Sequence, residues 1–380
     1  MKIFRLLLPV LFLAFTTAIF AQNVEEFSRN QAIEIESTFL NETRKISIYL
    51  PGDYDQTISK YPVLYLTDGG THLQHASAAV DYHSGPGTIP DIIVVAIHNI
   101  DRTRDLSPVH LERFPTSGGG EKFMEFLSKE LMPHMEKNYR TAGFNILLGH
   151  SLGGTFIAYT LLEKPELFDA FLAVSPYLMY ADNLMIKKTS EKLKPFKDTK
   201  YIYMTVGNEE AYFEPLADYV SLMKEKAGES VQLRYVKMLE ENHATTPYIS
   251  VFKGLRFIFR GWQLPVEMLQ SDLESIDKHF KNNAKKFGID VATPEQVINA
   301  LGYRYLQARH FEMAIATFQE NVKRYPKSAN VYDSLGEAYE NHEKPDLAKQ
   351  YYEKAVTLGE KNGNPNLSVY KTNLERVSKK

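Results

Sequence analysis

The sequence predicts two regions of different class: an α/β domain over residues 34–262, with a mainly parallel sheet, then an all-α repeat region over 295–362. Three observations support this. Short, nearly continuous apolar runs alternate with helical stretches through the first region, as when helices cover both faces of a parallel sheet. One such run leads through Gly149-His150-Ser151-Leu152-Gly153-Gly154 into a helix. After Gly288 the pattern becomes a repeat at a fixed 34-residue offset.

The candidate strands are 44–50, 62–67, 91–98, 144–149, 170–175, 201–206 and 231–238. Helical stretches are expected at 121–139, 155–163, 215–226 and 246–259. Between them, 99–120 is a long irregular segment containing Pro108, Pro115 and Gly118-Gly119-Gly120. Connections of that length are usually functional, so it is expected over the pocket. Residues 263–290 read as a connecting helix, with Met268, Leu269, Leu273, Ile276 and Phe280 near helical spacing.

In the repeat region Leu301-Gly302, Tyr305, Ala314 and Phe318 recur as Leu335-Gly336, Tyr339, Ala348 and Tyr352. Small residues let two antiparallel helices approach while aromatics fill the seam, which is the tetratricopeptide pattern. Two units fit, 295–328 and 329–362, leaving 363–380 as a tail. Since each repeat is stabilised by its neighbours, the preceding helix is expected to cap one side. The repeats are candidates for binding a protein partner or for self-association.

The chain has 380 residues, 44% hydrophobic, with no cysteine and a net charge of −3. That composition supports a large core and excludes disulfides, thiolate catalysis and Cys-ligated metal. The charge argues against a nucleic-acid partner. Residues 1–21 have Lys2 and Arg5 before an apolar run ending at Ala21. They read as a signal peptide, short and interrupted by Pro9, and imply a periplasmic or secreted protein. No later segment is long and apolar enough to span a bilayer.

A serine between glycines at a strand-to-helix turn is a nucleophile elbow. Its hydroxyl needs a base, and the base an orienting carboxylate, in the chain order Ser, acid, His. After Ser151, strand 201–206 runs into Gly207-Asn208-Glu209-Glu210 and strand 231–238 into Leu239-Glu240-Glu241-Asn242-His243. His243 is therefore the candidate base. Glu210 is the preferred acid because it lies further round the turn, and Glu209 stays open. The oxyanion needs two donors: the Leu152 amide, and one from Asp68-Gly69-Gly70-Thr71, with Gly70 preferred over Thr71. His72, Arg102, Arg104 and Tyr177 are candidate substrate contacts; the alternative for the two arginines is that they brace the long loop. His72 and His75 lack a third partner for a metal, and no cofactor is implied.

Three stretches carry a family resemblance: Tyr65-Leu66-Thr67-Asp68-Gly69-Gly70, residues 99–108 with Arg102, Arg104 and Asp105, and Gly149 to Gly154. Together with Asn242-His243-Ala244 they resemble the esterase family that includes esterase D-type, enterochelin (siderophore) and feruloyl or acetyl-xylan esterases. The resemblance spans 34–262. It implies an α/β-hydrolase fold and metal-free hydrolysis of a small-molecule carboxylic ester through Ser151, His243 and Glu209 or Glu210. It leaves the ester unspecified. Acyl transfer on the same fold, and a non-catalytic scaffold acting through its repeats, are the alternatives.

Overall fold

The computed structural model describes residues 29–52, 54–289 and 292–379; the proposed signal peptide lies outside them. Eight strands form one sheet in the order β1-β2-β4-β3-β5-β6-β7-β8. They are β1 (Asn30–Ser37), β2 (Glu42–Tyr49), β3 (Tyr61–Leu66), β4 (Ile93–Ile97), β5 (Thr141–His150), β6 (Ala170–Val174), β7 (Lys200–Val206) and β8 (Val231–Lys237). β1 pairs antiparallel with β2, and β2 with β4. All pairings from β4 to β8 are parallel. This is the α/β-hydrolase arrangement the sequence led us to expect.

The helices of this region are α1 (Gly69–Ser84), α2 (Arg102–Leu106), α3 (Gly120–Phe126), α4 (Met132–Asn138), α5 (Leu152–Glu163), α6 (Tyr180–Lys192), α7 (Glu210–Ala227) and α8 (Thr246–Ile258). Alternate residues of a strand enter opposite faces of a sheet. In β3, Val63 and Tyr65 accordingly join one core with Phe126, Phe156 and Leu216, while Leu64 and Leu66 join the other with Val251 and Trp262. β3, β4, β6 and β7 are buried throughout. Each fully buried aliphatic or aromatic side chain contributes roughly 1.5–3 kcal/mol, so this central sheet is a rigid platform for the loops at its carboxyl edge.

α9 (Leu273–Lys286) leads from the sheet domain to the repeats, α10 (Glu295–Gln307) with α11 (Phe311–Arg324) and α12 (Ala329–Asn341) with α13 (Pro345–Asn362). Phe287, just after α9, packs its ring 5.6 Å from Phe144 and 5.3 Å from Phe259. Leu301 of α10 joins the same core. Arg324 holds Asp277 of α9 at 2.7 and 2.8 Å, tying α11 back to the connector. Residues 363–380 are more than a tail. They contain α14 (Leu367–Ser378), whose Tyr370 and Val377 are buried.

β1, α1 and α6 were also absent from the sequence reading. β1 is an exposed edge strand with mostly solvent-facing residues. In α1 the inward positions include His72, Ser77 and His83, so no clean apolar stripe marks it. α6 is interrupted by left-handed backbone at Ala181, Asp182 and Asn183.

Candidate active site

β5 delivers Ser151 to the carboxyl edge at φ 57° and ψ −114°, a strained conformation for a residue with a β-carbon. The strain is held from both sides. The Ser151 amide donates to the Val174 carbonyl at 2.9 Å, and its own carbonyl accepts from Gly154 and Tyr177 at 2.9 and 3.0 Å. The flanking glycines are required by contact. A β-carbon at Gly149 would lie 2.2 Å from the Gly153 carbonyl oxygen, and one at Gly154 would lie 2.5 Å from Pro176 Cβ. Leu152 begins α5, and first-turn amides have no acceptor within their own helix, so its N–H is available beside the serine.

The β7 and β8 loops meet next to this turn. The Asn208 amide donates to the Glu241 carbonyl at 2.7 Å. Asn242 Oδ1 accepts from the amides of Ala244 and Thr245 at 2.9 and 3.1 Å, fixing the bend that carries His243. His243 Nδ1 lies 2.5 Å from Glu209 Oε1. The other carboxylate oxygen, Oε2, accepts from Ser175 Oγ at 2.6 Å and the Gly207 amide at 3.2 Å. With the Nδ1 proton directed at Glu209, Nε2 is the basic nitrogen.

The preference for Glu210 is therefore corrected: Glu209 makes the contact. Glu209 precedes α7 with φ −130° and ψ 77°, outside helical geometry. Its carboxylate is 12% exposed and turned back to His243, whereas Glu210 is the first helical residue and is exposed.

The turn after β3 sits against the sheet so closely that a β-carbon on Gly69 would lie 2.7 Å from the Ala96 carbonyl carbon. Asp68 adopts φ 56° and its carbonyl takes the Thr71 amide at 2.8 Å. That occupies the alternative oxyanion donor and leaves Gly70, which is exposed, as the candidate.

Arg102 holds Asp68 through Nε at 2.6 Å and Nη2 at 3.0 Å, and Nη2 also donates to the His150 carbonyl at 3.0 Å. Arg104 is engaged by Glu42 and by Asp105 at 2.8 Å. Arg44, fully buried, bonds the other Asp105 oxygen at 2.8 Å. Both candidate arginines thus brace the 99–120 segment and the elbow rather than project free charge.

His72 is 2% exposed. A file of imidazoles runs from His243 into the fold: His243 to His150, 4.4 Å between ring centres, then His72 at 5.7 Å and His75 at 5.1 Å. Burial, with neighbouring imidazoles second, pushes His150 and His72 down to about 4. Both are neutral at physiological pH. The Tyr177 ring lies 6.1 Å from that of Tyr212, tilted by 39°, and the Tyr212 ring lies 6.0 Å from His243. The Tyr212 side chain lies near that of Ser151; burial, reinforced by Glu209, raises its pKa to about 12 and keeps it protonated. Ser175 was missed at the sequence level. A serine after a strand carries no distinguishing signal until Glu209 is placed beside it.

No group of three or more His, Cys, Asp or Glu side chains arranged to hold a metal ion occurs among the described residues. No described helix is long and apolar enough to cross a membrane.

Fold and elbow together define an α/β hydrolase of the serine type. The chain belongs to the esterase family whose model, described as "Putative esterase", matches residues 37–247. A tetratricopeptide repeat model matches 329–362. Ferri-bacillibactin esterase BesA of Bacillus subtilis is 24% identical over 229 residues, covering 52% of this chain and 78% of that protein. Among solved structures, an IroE-like serine hydrolase from Shewanella oneidensis superimposes with TM-score 0.66 at 25% identity, covering 75% of this chain and 96% of that one. An uncharacterised protein from Capnocytophaga ochracea shares the fold over 92% of this chain and 100% of its own, with TM-score 0.60 at 18% identity.

Proposed function

We propose that this protein is an exported serine esterase that cleaves siderophore-type esters through a Ser151–His243–Glu209 triad. Ser151 attacks the ester carbonyl while His243 Nε2 takes its proton, and Glu209 stabilises the resulting imidazolium. The Leu152 and Gly70 amides receive the developing oxyanion. His243 then returns the proton to the departing alcohol, leaving the acyl group on Ser151. Water, deprotonated by the same imidazole, releases the acid and restores the serine.

One observation carries this reading: the continuous Ser175–Glu209–His243 hydrogen-bond string, 2.6 and 2.5 Å, beside a serine held at φ 57°. The siderophore class is supported by the name of the Bacillus relative. The charged and then apolar run at 1–21 supports export, and the repeats support a protein partner or self-association.

Turnover of p-nitrophenyl acetate and of a cyclic catecholate trilactone by the purified protein tests this. Both activities are expected to vanish in S151A, and a fluorophosphonate should add a single adduct to the native chain but none to the variant. Equal turnover in S151A would refute the triad.

A further inference from the structure

Between the start of α1 and the loop carrying His243 into α8 lies a cleft of about 430 Å³. Thr71, His72 and His75 form one wall, and Glu241, Thr245 and Tyr248 the other. Both walls extend the machinery described above. Thr71 follows the proposed oxyanion glycine, and Ala244, also at the cleft, follows His243. In serine-esterase chemistry the leaving oxygen takes its proton from the histidine, so the alcohol half of the ester must sit on the histidine's side. The cleft adjoins the loop that carries His243, at Ala244.

Its lining specifies a chemistry. Tyr248 is 60% exposed, with its ring centre 5.9 Å from that of His75. An aromatic held at a cleft edge with an open face favours stacking of a flat ring. His72 Nδ1 and His75 Nε2 are 2.9 Å apart, one donating to the other. Burial lowers the pKa of both rings, to about 4 for His72, so this wall is polar and uncharged. Glu241 adds negative charge at the opposite side, which disfavours an anionic group.

We infer that this cleft is the leaving-alcohol subsite and that it selects a neutral, ring-bearing alcohol, with Tyr248 as its stacking platform and Glu241 as the element that rejects anions. The inference rests on the serine-esterase reading above.

The test holds the acyl group constant and varies the alcohol. Hydrolysis of ethyl acetate, 2-phenylethyl acetate and 4-(2-acetoxyethyl)benzoate would be measured for the full mature chain. The kcat/KM ratio of 2-phenylethyl to ethyl acetate is expected to be well above one, and to fall about tenfold in Y248A, the scale of one lost pocket contact. Y248F, which keeps the ring, should retain the ratio. So should Y82A, which removes an exposed aromatic outside the cleft (Tyr82 is 71% exposed). E241Q should raise turnover of the benzoate relative to the neutral ring ester. An unchanged ratio in Y248A, or a benzoate preference indifferent to E241Q, overturns the subsite. Failure of the native chain to cleave any acetate, with no fluorophosphonate adduct, overturns the esterase reading and the subsite with it.

Discussion

The sheet domain and the repeats solve close packing in different ways. In the sheet domain the tightest approach is backbone against backbone, where Gly149 passes 2.2 Å, measured from a virtual β-carbon, from the Gly153 oxygen. In the repeats it is backbone against ring. A β-carbon on Gly302 would lie 2.4 Å from Phe318, and one on Gly336 2.8 Å from Tyr352. A ring can swing aside, whereas a strand-to-helix turn pinned to a buried sheet cannot. Precision is thus concentrated where Ser151 must be held, and tolerance lies where only a seam has to close.

Their buried titratable groups also differ in sign. The sheet domain buries neutral bases, His72 and His150, with pKa values near 4 against an ordinary 6.5. Their contribution to stability is complete above 6.5 and is lost as pH falls toward 4. The repeats bury an acid, Asp333, which burial and then the nearby Glu337 raise from 3.8 to about 6. Between these values the native state keeps a proton that the unfolded chain has released. The stability from neutral Asp333 is therefore full below 3.8 and lost as pH rises through about 6.

The most severe break of this comparison is G149A, expected to cost more than about 3 kcal/mol and to abolish soluble, folded protein, since overpacking against backbone has no relief. G302A should cost about 1–3 kcal/mol and leave esterase kinetics unchanged; thermal melts of the two variants would reverse the packing argument if G302A proved the worse. Next is S175A, which removes the 2.6 Å bond to Glu209 Oε2. Without it kcat should fall about tenfold, the scale of one lost hydrogen bond to a charged group, and the acid limb of the kcat/KM profile should move. A loss of Tm with an unshifted limb would make Ser175 merely structural. The smallest effect is D333N, expected to stabilise the chain by about 1–2 kcal/mol at pH 7.5 and by almost nothing at pH 3.5. An equal gain at both values would remove the titration from the account.

Much of this was legible in the sequence because the signals were local. The elbow is six consecutive residues, and the repeat a fixed offset. What was not legible depended on tertiary placement. Whether Glu209 or Glu210 orients His243 turns on where α7 begins, since the residue just outside the helix points back and the first one inside it points to solvent. For Arg102 and Arg104 the sequence left substrate contact and loop bracing both open, and the carboxylates that pair with them, Asp68, Glu42 and Asp105, come together only in the fold. α1 escaped notice because its inward face is built partly of histidines, His72 and His83, the first of which also lines the cleft beside the site.

The most direct test of the central claim compares E209Q with E210Q in the ester assay. Replacing the carboxylate that orients the base should lower kcat/KM by about 10³–10⁴-fold in E209Q, with the melting temperature little changed, and E210Q should match the native protein. A large loss in E210Q with near-native E209Q would contradict the account.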